Sequence, residues 1–89
     1  MNIYAKKGTK VISLFENGNI TGGYDADKEH AMKFLKEGVF YTVDYTDVGS
    51  WHTDVFLKEF PGKSFNSVHF AEIDSAEGKL AIAKNRLDV

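Results

Sequence analysis

Val39-Phe40-Tyr41-Thr42-Val43-Asp44-Tyr45-Thr46-Asp47, Trp51-His52-Thr53-Asp54-Val55-Phe56-Leu57-Lys58-Glu59-Phe60 and Phe65-Asn66-Ser67-Val68-His69-Phe70-Ala71 are three runs of aromatic and β-branched residues. Val48-Gly49-Ser50 separates the first two, and Pro61-Gly62-Lys63-Ser64 the last two. The pattern predicts a three-stranded antiparallel meander over 39–71. In the first strand Val39, Tyr41, Val43 and Tyr45 alternate with Phe40, Thr42, Asp44 and Thr46, with the valine and tyrosine face expected toward the core. In the second, Val55, Leu57 and Glu59 alternate with Asp54, Phe56, Lys58 and Phe60. In the third, Val68 and Phe70 face one way and His69 and Ala71 the other. Pro61-Gly62 suits a type II turn, because Pro presets φ and Gly supplies a positive φ.

Upstream, Thr9 to Phe15 forms a strand candidate with apolar residues on both faces, which argues that both are covered. Asn17-Gly18 is a strong hairpin signal, since both residues tolerate positive φ. It predicts a short return strand from Ile20 toward Tyr24, weakened at Gly22-Gly23. The period then changes. Ala31, Phe34 and Leu35 make a short apolar stripe, Asp25 or Asp27 can cap, and Gly38 suits a helix C-terminus. A helix is expected at about 26–37.

Downstream, Asp74 and Glu77 resemble a capping box. Ala76, Leu80, Ala83 and Leu87 form a narrow helical stripe, although Gly78 costs about 1 kcal/mol in a helix interior. Residues 74–89 therefore read as a helical or partly disordered tail on a β-rich domain spanning 1–73. Together the elements predict a mainly β, α+β fold. It is either a small SH3-like partial barrel or a bent antiparallel meander, with one inserted helix and a short C-terminal helix.

Composition narrows the chemistry. The 89 residues suit one domain, and a formal charge of −2 argues against strong nonspecific nucleic-acid binding. There is no cysteine, which removes disulfides, thiolate metal sites and cysteine nucleophiles. No stretch approaches a membrane span or a signal-peptide core, so a soluble cytoplasmic protein is expected. His30, His52 and His69 show no metal-type spacing, and a site would need Asp44, Asp47, Asp54 or Glu72 to converge with them. If the first two strands pair around Val48 to Ser50, His52 falls near Asp47, which a surface polar pair explains as well as a metal site does. Ser67 and His69, two apart, would share a face like a hydroxyl and its base, but no nucleophile elbow surrounds them. Gly22-Gly23 matches no phosphate-binding fingerprint, and Asp25 and Asp27 would repel an anion. No cofactor, metal or catalytic set is assigned, and no enzyme activity is expected.

Tyr41-Thr42-Val43, Trp51 to Val55, Leu57 to Gly62 and Phe65 to Phe70 cover about a third of the chain. As a set they resemble a group of small proteins encoded by bacteriophages and prophages of Gram-positive bacteria, built on an SH3-like β-barrel. That resemblance carries no catalytic motif. It implies a bacterial cytoplasm, a mobile element and a binding role. The residues left over once the core is assigned are Trp51, His52, Phe56, Phe60 and His69, which are the expected protein-binding positions. Trp51, the single tryptophan, is the strongest anchor candidate. The alternative is weak nucleic-acid binding through Lys6, Lys7, Lys10 and Lys63 with exposed aromatics, and the second alternative is a small metal-dependent or hydrolytic enzyme. A monomer or weak homodimer is expected.

Overall fold

A computed structural model describes residues 1–86 of the chain. It is an α+β fold. The strands are β1 (Lys10–Ser13), β2 (Phe15–Glu16), β3 (Asn19–Ile20), β4 (Phe40–Val48), β5 (Thr53–Leu57), β6 (Ser64–Asn66) and β7 (Phe70–Glu72). The helices are α1 (Asp25–Phe34) and α2 (Ala76–Arg86), and a 3₁₀ turn spans Ser67–His69. Five strands form one antiparallel sheet in the order β6-β5-β4-β1-β7, and β2 and β3 form a separate hairpin. The bent meander with one inserted helix and a C-terminal helix is present. The two edge strands do not pair, so no barrel closes among the described residues.

The turn chemistry holds locally. Asn17 and Gly18 both take positive φ, 53° and 81°, and join β2 to β3. Lys63 N–H donates to the Phe60 carbonyl around Pro61 and Gly62, with Gly62 at φ 79°, the sign a type II turn demands. The first strand candidate breaks at Leu14. Val11, Ile12 and Ser13 are all buried, so β1 is covered on both faces as expected. The return strand ends at Ile20, short of the glycines.

Helix α1 starts and stops earlier than its sequence suggested. Tyr24 is the N-cap residue, and Asp27 reaches back so that its Oδ2 accepts the Tyr24 N–H at 3.1 Å. The chain turns extended at Leu35 (φ −90°, ψ 142°), which drops that side chain into the core instead of onto another helical turn. Of the expected stripe, Ala31 and Leu35 are buried and Phe34 packs half-buried against the core. They meet an aromatic cluster in which Phe60 lies 5.8 Å from each of Phe34, Tyr41 and Phe65, and Phe65 lies 6.2 Å from Phe70. Such ring pairs contribute about 0.5–1.5 kcal/mol each beyond their burial.

Three departures decide which side chains face out. First, β4 carries a bulge: Val43 pairs with Leu57, but the next partners are Tyr45 and Phe56. One extra residue at Asp44 reverses the alternation. Beyond it Thr46 stands opposite buried Val55, while Tyr45 is exposed and stacks on Phe56 at 4.3 Å. Tyr45 is therefore not a core residue, and neither is Val39, which precedes the strand and is exposed.

Second, the run 65–71 is not one strand. Asn66 Oδ1 accepts the Val68 N–H and starts the 3₁₀ turn. That turn buries His69 completely and turns Val68 outward, inverting their expected roles. It also carries β7 away from the meander to pair with β1 at the far edge.

Third, the cap of α2 is Ser75, not Asp74. Its Oγ accepts the Gly78 N–H at 3.0 Å. Ala76, Leu80 and Ala83 are exposed, and Leu87 lies outside the described residues. The packed face is instead buried Gly78 with half-buried Ala81 and Ile82, resting on β7 and β1.

Candidate functional site

The β4–β5 hairpin has a four-residue loop, Gly49 to His52, closed by the Gly49 N–H donating to the His52 carbonyl at 3.0 Å. This geometry lifts Trp51 to the tip, where it is 94% exposed. A large indole left in water is an unusual use of apolar area and marks an interaction surface. Beside it lies a cleft of about 540 Å³. Trp51, His52 and Thr53 form one wall, Asn66, Ser67 and Val68 another, and Gly23 with Tyr24 a third. Tyr24 is 77% exposed and Val68 46% exposed. Ile3 also lines the cleft, held there by Thr46 Oγ1 donating to its carbonyl.

Asp27 ties the walls together. Its Oδ2 accepts the Tyr24 N–H and the Asn66 side-chain amide, the latter at 3.2 Å. Asn66 in turn fixes Val68 through its other amide atom. Partial burial works against the Asp27 carboxylate. The Tyr24 and Asn66 hydrogen bonds and the nearby His69 and His52 outweigh it, and hold its pKa below the ordinary aspartate value. Gly23 sits between Asp27 and the His69 ring at φ 76°. A β-carbon there would lie 3.1 Å from His69 Cε1 and 3.2 Å from Asp27 Cβ, so glycine lets the α1 entry close against the 3₁₀ turn.

The five expected binding residues do not form one face. Trp51 and His52 stand together at the hairpin tip. Phe56 lies on the outer sheet face against Tyr45. Phe60 packs against the core, because β5 ends at Leu57 and strand alternation no longer applies to the following turn. His69 is buried, its Nδ1 3.0 Å from the Thr21 carbonyl and its Nε2 without a hydrogen-bond partner among the described residues. Its place in a 3₁₀ turn removes the shared strand face with Ser67. Tyr24 and Val68 were missed. The signal for Tyr24 was a lone aromatic between a glycine pair and a helix start. Val68 had none, because its outward turn depends on Asn66.

The other histidines have structural partners. His30 Nε2 lies 2.9 Å from the Ser64 carbonyl, and its ring stacks on Phe65 at 5.0 Å. His52 Nε2 lies 3.1 Å from Asp54 Oδ1, and so pairs with Asp54 instead of Asp47. Among the described residues no three His, Asp or Glu side chains converge on a metal position. Of the lysines of the nucleic-acid alternative, Lys7 pairs with Asp44 at 3.1 Å, Lys10 bonds Thr42 and Lys63 covers the Phe34 ring at 4.7 Å. No described helix is long and apolar enough to cross a membrane.

The family model described as Bacteriophage T4 protein Y07B matches residues 2–85. No curated protein and no solved structure matches at a significant level.

Proposed function

The chain belongs to the Bacteriophage T4 protein Y07B family, and from that premise we propose that it is a small non-enzymatic binding module, which grips a protein partner in the cleft beside Trp51. The observation that carries this reading is the solitary, almost fully exposed Trp51 placed against a cleft with a second exposed aromatic, Tyr24. Tryptophan and tyrosine supply large rigid contact area with little rotamer entropy to lose, and they dominate interface energetics. The cleft is open, fits an extended segment better than an enclosed small molecule, and gathers side chains suited to contact more than to bond-breaking. The strand order, with a 3₁₀ turn between the last two strands, supports an SH3-like organisation of the sheet. The proposed setting is the bacterial cytoplasm during phage growth.

Display selection from a random peptide library against the whole chain tests this reading. Recovered peptides should shift the emission of Trp51, the sole tryptophan, and should lose binding on Trp51→Ala with the fold intact. Peptides that bind without moving Trp51 emission, or an empty selection, would count against it.

A further inference from the structure

The charges around the cleft have one sign. Asp47 and Asp54 stand directly opposite one another on β4 and β5. Like charges in that position weaken a hairpin, and the His52 contact to Asp54 offsets this on one side only. Between them lies a hollow of about 160 Å³, lined also by Gly49, Ser50, Trp51 and His52 and sharing those four residues with the larger cleft. At the other end, exposed Asp25 flanks Tyr24, and hydrogen bonds from Tyr24 and Asn66 hold the Asp27 carboxyl below the ordinary aspartate value. Neither lining contains a lysine or arginine. His52 is the basic side chain shared by both linings, and it is already engaged with Asp54.

We propose that the segment bound in this cleft is basic, with an arginine of the partner seated in the Trp51 hollow. This rests on the cleft being the binding site. The guanidinium plane lies against the indole face, where the ring quadrupole attracts a cation. Its fork of N–H donors reaches both Asp47 and Asp54, which a lysine ammonium reaches less well. The bound cation also relieves the repulsion between the two carboxylates. A phosphate backbone would meet the same carboxylates as a barrier, which sets this surface against nucleic acid.

The test uses the peptides selected on the whole chain. They should be enriched in arginine, and resynthesis of the tightest one with citrulline for arginine, a neutral near-isostere, should weaken binding about ten-fold. Added salt should weaken the arginine peptide and leave the citrulline peptide unchanged. The double variant D47N/D54N should bind both peptides equally while melting no lower than the parent. Peptides that shift Trp51 emission equally with arginine or citrulline would overturn the basic partner and leave the cleft standing. An empty selection would overturn both. A single-stranded oligonucleotide that shifts Trp51 emission would also overturn the inference.

Discussion

Replacing Gly78 with alanine sets two effects of opposite sign against each other. In an isolated helix, alanine is about 1 kcal/mol better than glycine, so propensity alone predicts stabilisation. In the fold, the added β-carbon would sit 1.9 Å from the Glu72 carbonyl oxygen, 2.8 Å from its carbon and 3.1 Å from Ile73 Cα. Ordinary contact is about 3.5 Å, so helix and strand must part by more than an ångström. All three neighbours are backbone, and no rotamer change can yield the space. The same Glu72 carbonyl accepts the Ser75 N–H at 3.1 Å and the Ser75 hydroxyl at 2.7 Å, and Ser75 caps the Gly78 N–H. Separation therefore strains the cap as well as the packing. Overpacking at about 1–3 kcal/mol and a weakened cap at about 1 kcal/mol exceed the propensity gain. The net expectation is a loss of about 2 kcal/mol, or about 10 °C in melting temperature for a domain this small. Urea and thermal unfolding followed by circular dichroism read the change. Leu80→Ala, on the exposed side of α2, serves as the control and should stay within about 0.5 kcal/mol. A Gly78→Ala variant as stable as the parent, or more so, would refute the docked placement of α2.

Acid should destabilise the fold through two carboxylates. Burial opposes the charge on Glu59, but backbone hydrogen bonds led by the Thr42 N–H, with nearby Lys10, hold its pKa below the ordinary value, as for Asp27. A pKa lowered in the folded state gives stability that is complete above the unfolded value, about 4, and fades as pH falls through the folded one. Urea midpoints at pH 7 and pH 3 should therefore converge between the parent and D27N/E59Q, the parent losing more; parallel losses would reject this origin. The stacked Tyr45 and Phe56 rings should show a coupling of about 0.5–1 kcal/mol in a double-alanine cycle, and zero coupling would mean that the bulge does not bring them together.

Local chemistry legible in the chain determined the elements. Asn17-Gly18 and Pro61-Gly62 permit few other backbone paths, Val55 and Leu57 show a clean two-residue period, and Ala31, Phe34 and Leu35 mark one face of a helix. Tyr41, Val43, Val55, Leu57 and Phe70 were recognisable as core for the same reason. Beyond Trp51 and His52 at the hairpin tip, tertiary structure decided which residues were left outside. The bulge at Asp44 exists only in the register between two strands, yet it reverses every side chain beyond it. The Asn66 hydrogen bonds exchange Val68 for His69 at the surface, and their anchor is Asp27, 39 residues away. Gly78 looked like a flaw in a helix until the Glu72 carbonyl lay against it. The candidate cleft belongs with these nonlocal features. Tyr24, Trp51 and Val68 come from three separate segments, and only closing the sheet and the α1 entry around Asp27 puts them beside one another.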